Sequence, residues 1–201
     1  MSHATFYTDQ TAFLNAISNT YYQEDFHAYD GTTTTLSSLA GAGNGYSWTA
    51  TATGPGTNLL NTVHPGGNGA LSVLNSGNAL NFAFGPSTPV TAFGGFFYNA
   101  SDTGNPADGQ VTLTLSSGQQ ETANINGSTS FLGYVAANSS ATILNASISG
   151  ISEVSNARIT ADHVITGQIA PPASTPEPFT MGLGLASAAL FVRRRLKTKW
   201  A

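Results

Sequence analysis

The sequence predicts a mainly β protein: a jelly-roll-like β-sandwich with a short N-terminal helix, followed by an apolar C-terminal helix. Three observations lead there. Gln110–Leu115 alternates, with Val111, Leu113 and Leu115 on one side and Thr112 and Thr114 on the other, the period of a half-buried strand. Short apolar or alternating runs recur along the chain, separated by Gly, Asn and Ser turn chemistry. Only 8% of the 201 residues are charged, against about 25% in an ordinary soluble domain. Yet 11 Phe and 7 Tyr are present, so a folded core under a neutral polar surface fits better than disorder.

Thr8–Ser18 reads as the helix. Asp9 is placed to cap it, and Phe13, Leu14 and Ile17 recur at helical spacing. Strands are then expected at Trp48–Thr53, Ala70–Leu74 and Ala79–Phe84, the last two separated by the turn residues Asn75-Ser76-Gly77-Asn78. Pro89–Tyr98 is the most apolar stretch of the body, and Gly94-Gly95 within it predicts a bulge or a close backbone approach. After Gln110–Leu115 comes a hairpin turn at Ser117-Gly118, then strands at Glu121–Ile125, Ser130–Val135, Thr142–Ile148 and Ala157–Thr166. A lone antiparallel sheet leaves its apolar face uncovered, so two sheets are required. Thr32–Gly45 and Gly54–Gly69, poor in apolar residues, read as surface loops. The β domain is placed at residues 5–169, a Pro-containing linker at 170–175, and a distinct C-terminal segment at 176–201.

Charge separates these regions. Arg193, Arg194, Arg195, Lys197 and Lys199 crowd the C-terminus, Arg158 is the one other basic residue, and all ten acidic residues precede Arg193. The acidic body repels phosphate backbones, so nucleic acid is excluded as a partner. The absence of cysteine excludes disulfides, thiolate metal sites and a Cys nucleophile.

Candidate chemistry in the body is sparse. Glu24, Asp25 and Asp30, with Asp162 brought alongside by the fold, offer the oxygen ligands that a structural calcium takes; the other reading is of solvated loop and edge residues. Tyr46, Trp48 and Tyr98 are the candidates for stacking on sugar rings, against a plain role in core packing. His3, His27, His64 and His163 form no paired-His metal motif, and no Gly-x-Ser-x-Gly elbow is present. The expectation is therefore a non-enzymatic domain, with a carbohydrate-binding module acting in extracellular polysaccharide as the alternative and a secreted hydrolase behind it.

The C-terminus carries the most specific signal. Pro176-Glu177-Pro178 is followed by the uncharged run Phe179–Val192, which holds Met181, Leu183, Leu185, Leu190, Phe191 and Val192, and then by Arg193-Arg194-Arg195. Arginines at that end face the cytoplasm by the positive-inside rule and leave the rest of the chain outside. The run falls short of the about 20 residues of a full span, which suits a temporary membrane segment. At the other end, Ser2-His3-Ala4 reads as a signal-peptide remnant at residues 1–4, with a mature chain from Thr5.

The three C-terminal elements in this order resemble the PEP-CTERM sorting signal. The resemblance covers about the last 28 residues. It implies export, arrest in the inner membrane, cleavage near Pro176-Glu177-Pro178 by exosortase, and delivery to the cell envelope or extracellular matrix. The body is similar to domains found ahead of that signal. The likeness lies in Pro89–Gly94, in Gln110–Leu115 with its turn, in Phe131-Leu132-Gly133-Tyr134, and in Ile159–Gly167, where His163 stands in place of a second Asp. It implies a sandwich-like fold without known activity.

Overall fold

Strands that alternate buried and solvent-facing positions make up one sheet, and the strands buried on both faces lie in the other. The computed structural model describes residues 3–29, 34–54, 56, 58–63, 69–126 and 130–171. In chain order the elements are β1 (Thr5–Tyr7), α1 (Gln10–Ala16), β2 (Tyr22–Glu24), a 3-10 turn (His27–Tyr29), β3 (Thr34–Leu36), β4 (Leu39–Gly43), β5 (Tyr46–Thr53) and β6 (Leu59–Val63). They continue with β7 (Gly69–Val73), β8 (Ala79–Phe84), β9 (Ala92–Ala100), β10 (Pro106–Ala107), β11 (Gly109–Leu115), β12 (Gln120–Ile125), β13 (Ser130–Val135), β14 (Asn145–Ser152) and β15 (Arg158–Gly167). They belong to the compact unit Met1–Ala170.

Two antiparallel sheets make a β-sandwich. One has nine strands in the order β1-β13-β9-β15-β7-β6-β3, with β10 beside β9 and β2 beside β15. The other has six, in the order β12-β11-β14-β8-β5-β4. Their inner faces share one core. Phe93 of β9 meets Phe82 and Phe84 of β8, with ring centroids 5.5 and 5.2 Å apart in tilted geometry. Such ring pairs add about 0.5–1.5 kcal/mol each beyond the area they bury. Asn99 of β9 reaches across the sandwich as well. Its Nδ2 donates to the carbonyls of Gln110 and Ile151, both at 3.3 Å. Gly150 leaves room for that side chain, because a Cβ there would lie 2.0 Å from Asn99 Oδ1.

The outer face of the nine-stranded sheet is covered too. Asp9 caps α1 by accepting from the Ala12 amide at 2.7 Å. Phe13 and Ile17 then pack on Ala92, Phe131, Val135 and Ile165, forming a second apolar cluster outside the sheet. Gly133 makes the contact close: a Cβ there would sit 2.6 Å from the Phe13 ring.

Two expected loops contain strands. Thr32–Gly45 holds β3 and β4, and Gly54–Gly69 holds β6. The apolar content of β4 (Leu39-Ala40-Gly41-Ala42-Gly43) is low because its neighbours fill the space. A Cβ at Gly41 would lie 2.4 Å from the Trp48 ring, and one at Gly43 would lie 2.3 Å from the Tyr22 ring. The glycine pair makes the close backbone approach, since a Cβ at Gly94 would lie 2.9 Å from the Gly133 Cα, and the bulge sits on the facing strand β15, between Asp162 and Ile165. Among the described residues no helix is long and apolar enough to cross a membrane. The expected C-terminal elements, Pro176 to Arg195, lie outside the described residues.

Candidate functional site

The three aromatic residues expected to stack on sugars are core residues. Tyr46, Trp48 and Tyr98 are 3%, 2% and 1% exposed. Trp48 points inward from β5, lies under Gly41, and meets Phe26 and Phe82 edge-on at 6.0 and 5.6 Å. The Tyr46 hydroxyl donates to the Thr20 carbonyl at 3.0 Å, and burial pushes its phenol above the ordinary value. None of the three presents a ring face to solvent, so the stacking expectation is corrected to core packing.

Two of the expected calcium ligands are held by their own neighbours. Glu24 accepts from the Tyr22 hydroxyl at 2.5 Å and from the Phe26 amide at 3.0 Å. Asp25 accepts from the His27 amide at 3.1 Å, a local turn bond. The β2–β15 pairing sets Glu24 opposite Val164, two residues beyond Asp162, and Asp30 lies outside the described residues. Among the described residues no three His, Asp or Glu side chains gather as a metal shell. A calcium ion takes 6–8 oxygens, and among the described residues Glu24, Asp25 and Asp162 do not come together as such a shell.

Asp162 belongs to a different arrangement. Its Oδ1 stands 2.7 Å from Nδ1 of His163. His163 occupies the left-handed region, with φ 46°, at the β15 bulge, a conformation that an L-residue adopts at a cost of about 1–2 kcal/mol. Its ring packs edge-on against Phe96 at 6.2 Å. Beside it, Thr160 pairs in register with Ser72 on one side and Tyr98 on the other, and the Ser72 and Thr160 hydroxyls bond at 2.6 Å. Burial, with the Asp162 carboxylate adding to it, holds the Tyr98 phenol well above its ordinary value. The sequence shows Asp162 and His163 side by side. It does not show the bulge that turns them toward each other.

The outer face of the six-stranded sheet is the opposite case. Gln110, Thr112 and Thr114 of β11 face outward, in register with Asn124, Thr122 and Gln120 of β12. Thr112 and Thr122 share a hydrogen bond of 2.8 Å, and Gln110 Nε2 donates to Asn124 Oδ1 at 3.1 Å. The array continues through Ser147, Ser149 and Ile151 of β14 and through Asn81 and Ala83 of β8. It ends on the alternating outward positions of β5, including Thr49 and Thr51, and on Ala40 and Ala42 of β4. No outward position of these six strands carries a charge. The sequence signal was the polar half of each alternating strand.

Concavities mark this face. At the β4–β5–β8 end a depression of about 460 Å³ has Ala40, Ala42, Ala83 and Gly85 for its floor, with Ser47 and Thr49 beside them. At the far corner another of about 420 Å³ is lined by Asp108, Gln110, Asn124, Ile151 and Glu153. Asn124 also lines a third of about 650 Å³, shared with Phe96 and Phe131 and with Asp9, Gln10, Thr122 and Ser130.

No family model matches the chain, and no curated protein matches it. Among solved structures it is similar to the N-terminal modules of Clostridium thermocellum endo-1,4-β-D-xylanase 10B complexed with xylohexaose, at 13% identity and a TM-score of 0.43. That likeness covers 63% of this chain and 27% of the xylanase chain. It is similar to a carbohydrate-binding module from Clostridium stercorarium in complex with cellobiose, at 14% identity and a TM-score of 0.34, over 58% of this chain and 86% of that one. It is also similar to a family two carbohydrate esterase from Cellvibrio japonicus, at 11% identity and a TM-score of 0.37, over 73% of this chain and 38% of that one.

Proposed function

We propose that this is an exported bacterial protein of the cell envelope or extracellular matrix, sorted by exosortase through residues 176–201, with a non-enzymatic, jelly-roll-like β domain as its working part. One observation carries the reading: Pro176-Glu177-Pro178, an uncharged apolar run and Arg193-Arg194-Arg195 stand in that order. The physics of each piece supports the same sequence of events. The apolar run enters the inner membrane as a helix, too short for a permanent span. The arginines hold its end on the cytoplasmic side. Proline has no amide hydrogen and disfavours helix at the residue before it, which suits Pro176-Glu177-Pro178 as a boundary between the β domain and the apolar run. Exosortase is the processing partner, and the inner membrane is a transient one.

The test is the mass of the mature protein after expression of the full gene in hosts with and without an exosortase. Loss of the segment beyond Pro176-Glu177-Pro178 in the first host only is the expected result. An intact C-terminus retained in the membrane of both hosts overturns the proposal and makes the segment a plain anchor.

A further inference from the structure

We infer that the outer face of the six-stranded sheet is a docking surface for a neutral polysaccharide. This inference is independent of the C-terminal segment, because it rests on the β domain alone.

The face is built from hydroxyls, primary amides and a few small apolar side chains. Its outward positions from β12 across to β4 include no Lys, Arg, Asp or Glu. Along the strands a neutral polymer therefore meets no ion to desolvate, and the carboxylates that line the concavities at the β12 end, Asp9, Asp108 and Glu153, repel an anionic one. Its apolar share is too scattered to bury a protein core, since Ile151, 74% exposed, is its large apolar side chain. What it offers is donors and acceptors in register. Asn81 Nδ2 reaches Thr53 Oγ1 at 3.0 Å, and Thr112 and Gln110 pair with their β12 partners. Each hydroxyl in these pairs keeps acceptor capacity for a further partner. A polyhydroxylated neutral chain is complementary to such an array, because each sugar hydroxyl both donates and accepts.

The concavities give the array an extent. Six strands spaced about 4.8 Å apart make a path of about 24 Å between the edge strands. One depression lies toward the β4 edge and another at the far corner. Asn124 joins the second to the concavity lined by Phe96 and Phe131. There the partly exposed Phe96 ring meets polar walls of hydroxyls and amides with the single carboxylate of Asp9 among them, a setting in which the apolar face of a pyranose ring packs. The path therefore supplies hydrogen bonds along the sheet and a ring surface beyond its β12 edge.

The experiment is native affinity electrophoresis of the full chain in gels containing hydroxyethyl cellulose, a neutral glucan, or alginate, an anionic polymer. Retardation by the glucan and not by alginate is expected. The double substitution T49K/T112K places two hydrated charges on the path and weakens glucan binding by about tenfold or more. Its thermal unfolding is compared with that of the parent, and T51K/S147K serves as a second, separately folded variant on the same face. Absence of retardation by the glucan overturns the inference. So does equal retardation of parent and variants, which places binding elsewhere, or equal retardation by alginate, which removes the basis in neutrality. A dimer that sedimentation shows dissociating in T49K/T112K also overturns it, by making this face an interface between copies of the chain. Loss of glucan binding leaves the sorting proposal untouched, and an uncleaved C-terminus leaves this one untouched.

Discussion

Along β9 every side chain except that of Phe96 is buried, whereas along β5 buried and solvent-facing positions alternate from Tyr46 to Thr53. The two strands belong to sheets that share one core, so the difference lies on their outer faces. On the nine-stranded sheet, α1 and its apolar residues cover Ala92, Phe131 and Ile165, and Ser72 and Thr160 are buried while bonded to each other. On the six-stranded sheet the equivalent side chains meet water. A sheet covered on both sides reads as a run of apolar residues, and one covered on a single side reads as alternation. The contrast also separates a sheet packed on both faces from one whose outer face is open to solvent.

The largest expected effect breaks the cover itself. Phe13→Ala empties a fully buried ring site between α1 and β13 and should cost about 3–5 kcal/mol in denaturant unfolding. A loss below about 1 kcal/mol would mean that α1 rests on the sheet without holding it. The tie between the sheets comes next. Asn99→Ala removes the donor that serves the Gln110 and Ile151 carbonyls and leaves a void beside Gly150, for a loss of about 1–3 kcal/mol. No loss would place the cohesion of the sandwich in the ring contacts alone.

A smaller effect sharpens the picture of the covered face through pH. The Tyr98 phenol is raised above its unfolded value of 10.0, chiefly by burial. Such a group binds its proton more tightly in the fold. Its contribution is complete below about pH 10 and is lost as the pH climbs toward the folded value. In an alkaline titration, part of the phenolate absorbance should therefore appear together with unfolding, and Tyr98→Phe should keep its fold to higher pH. Unfolding of both proteins at the same pH would show that this phenol does not govern the alkaline limit.

Much of the fold was legible in the sequence. Ala79–Phe84 and Ser130–Val135 coincide with β8 and β13, and Gln110–Leu115 matches β11 except for one more residue at its start. These strands declare themselves through their own side chains. β4 does not, because its glycines make space for rings that belong to Trp48 and Tyr22. The same fact explains why Trp48 misled as a ligand-binding candidate: the ring that looks available in the sequence lies beneath a strand of small residues. The neutral face was half legible. Low charge and abundant Thr, Ser and Asn announce it, but only the register across β12, β11, β14, β8, β5 and β4 gathers those residues onto one surface. The left-handed His163 was not legible at all, since a bulge depends on the partner strand and β9 lies far away in sequence.

The contrast between a covered and a bare outer face is tested most directly by one pair of substitutions measured side by side. Thr160 on β15 and Thr112 on β11 both face away from the shared core, one fully buried and the other on the open side of its sheet. Thr160→Lys forces an ammonium into a closed site and should lower the unfolding free energy by about 3 kcal/mol or more. Thr112→Lys should change it by no more than about 0.5 kcal/mol. Equal losses at the two positions would contradict the account, since they would mean that both outer faces are packed and that no bare surface is left for a partner.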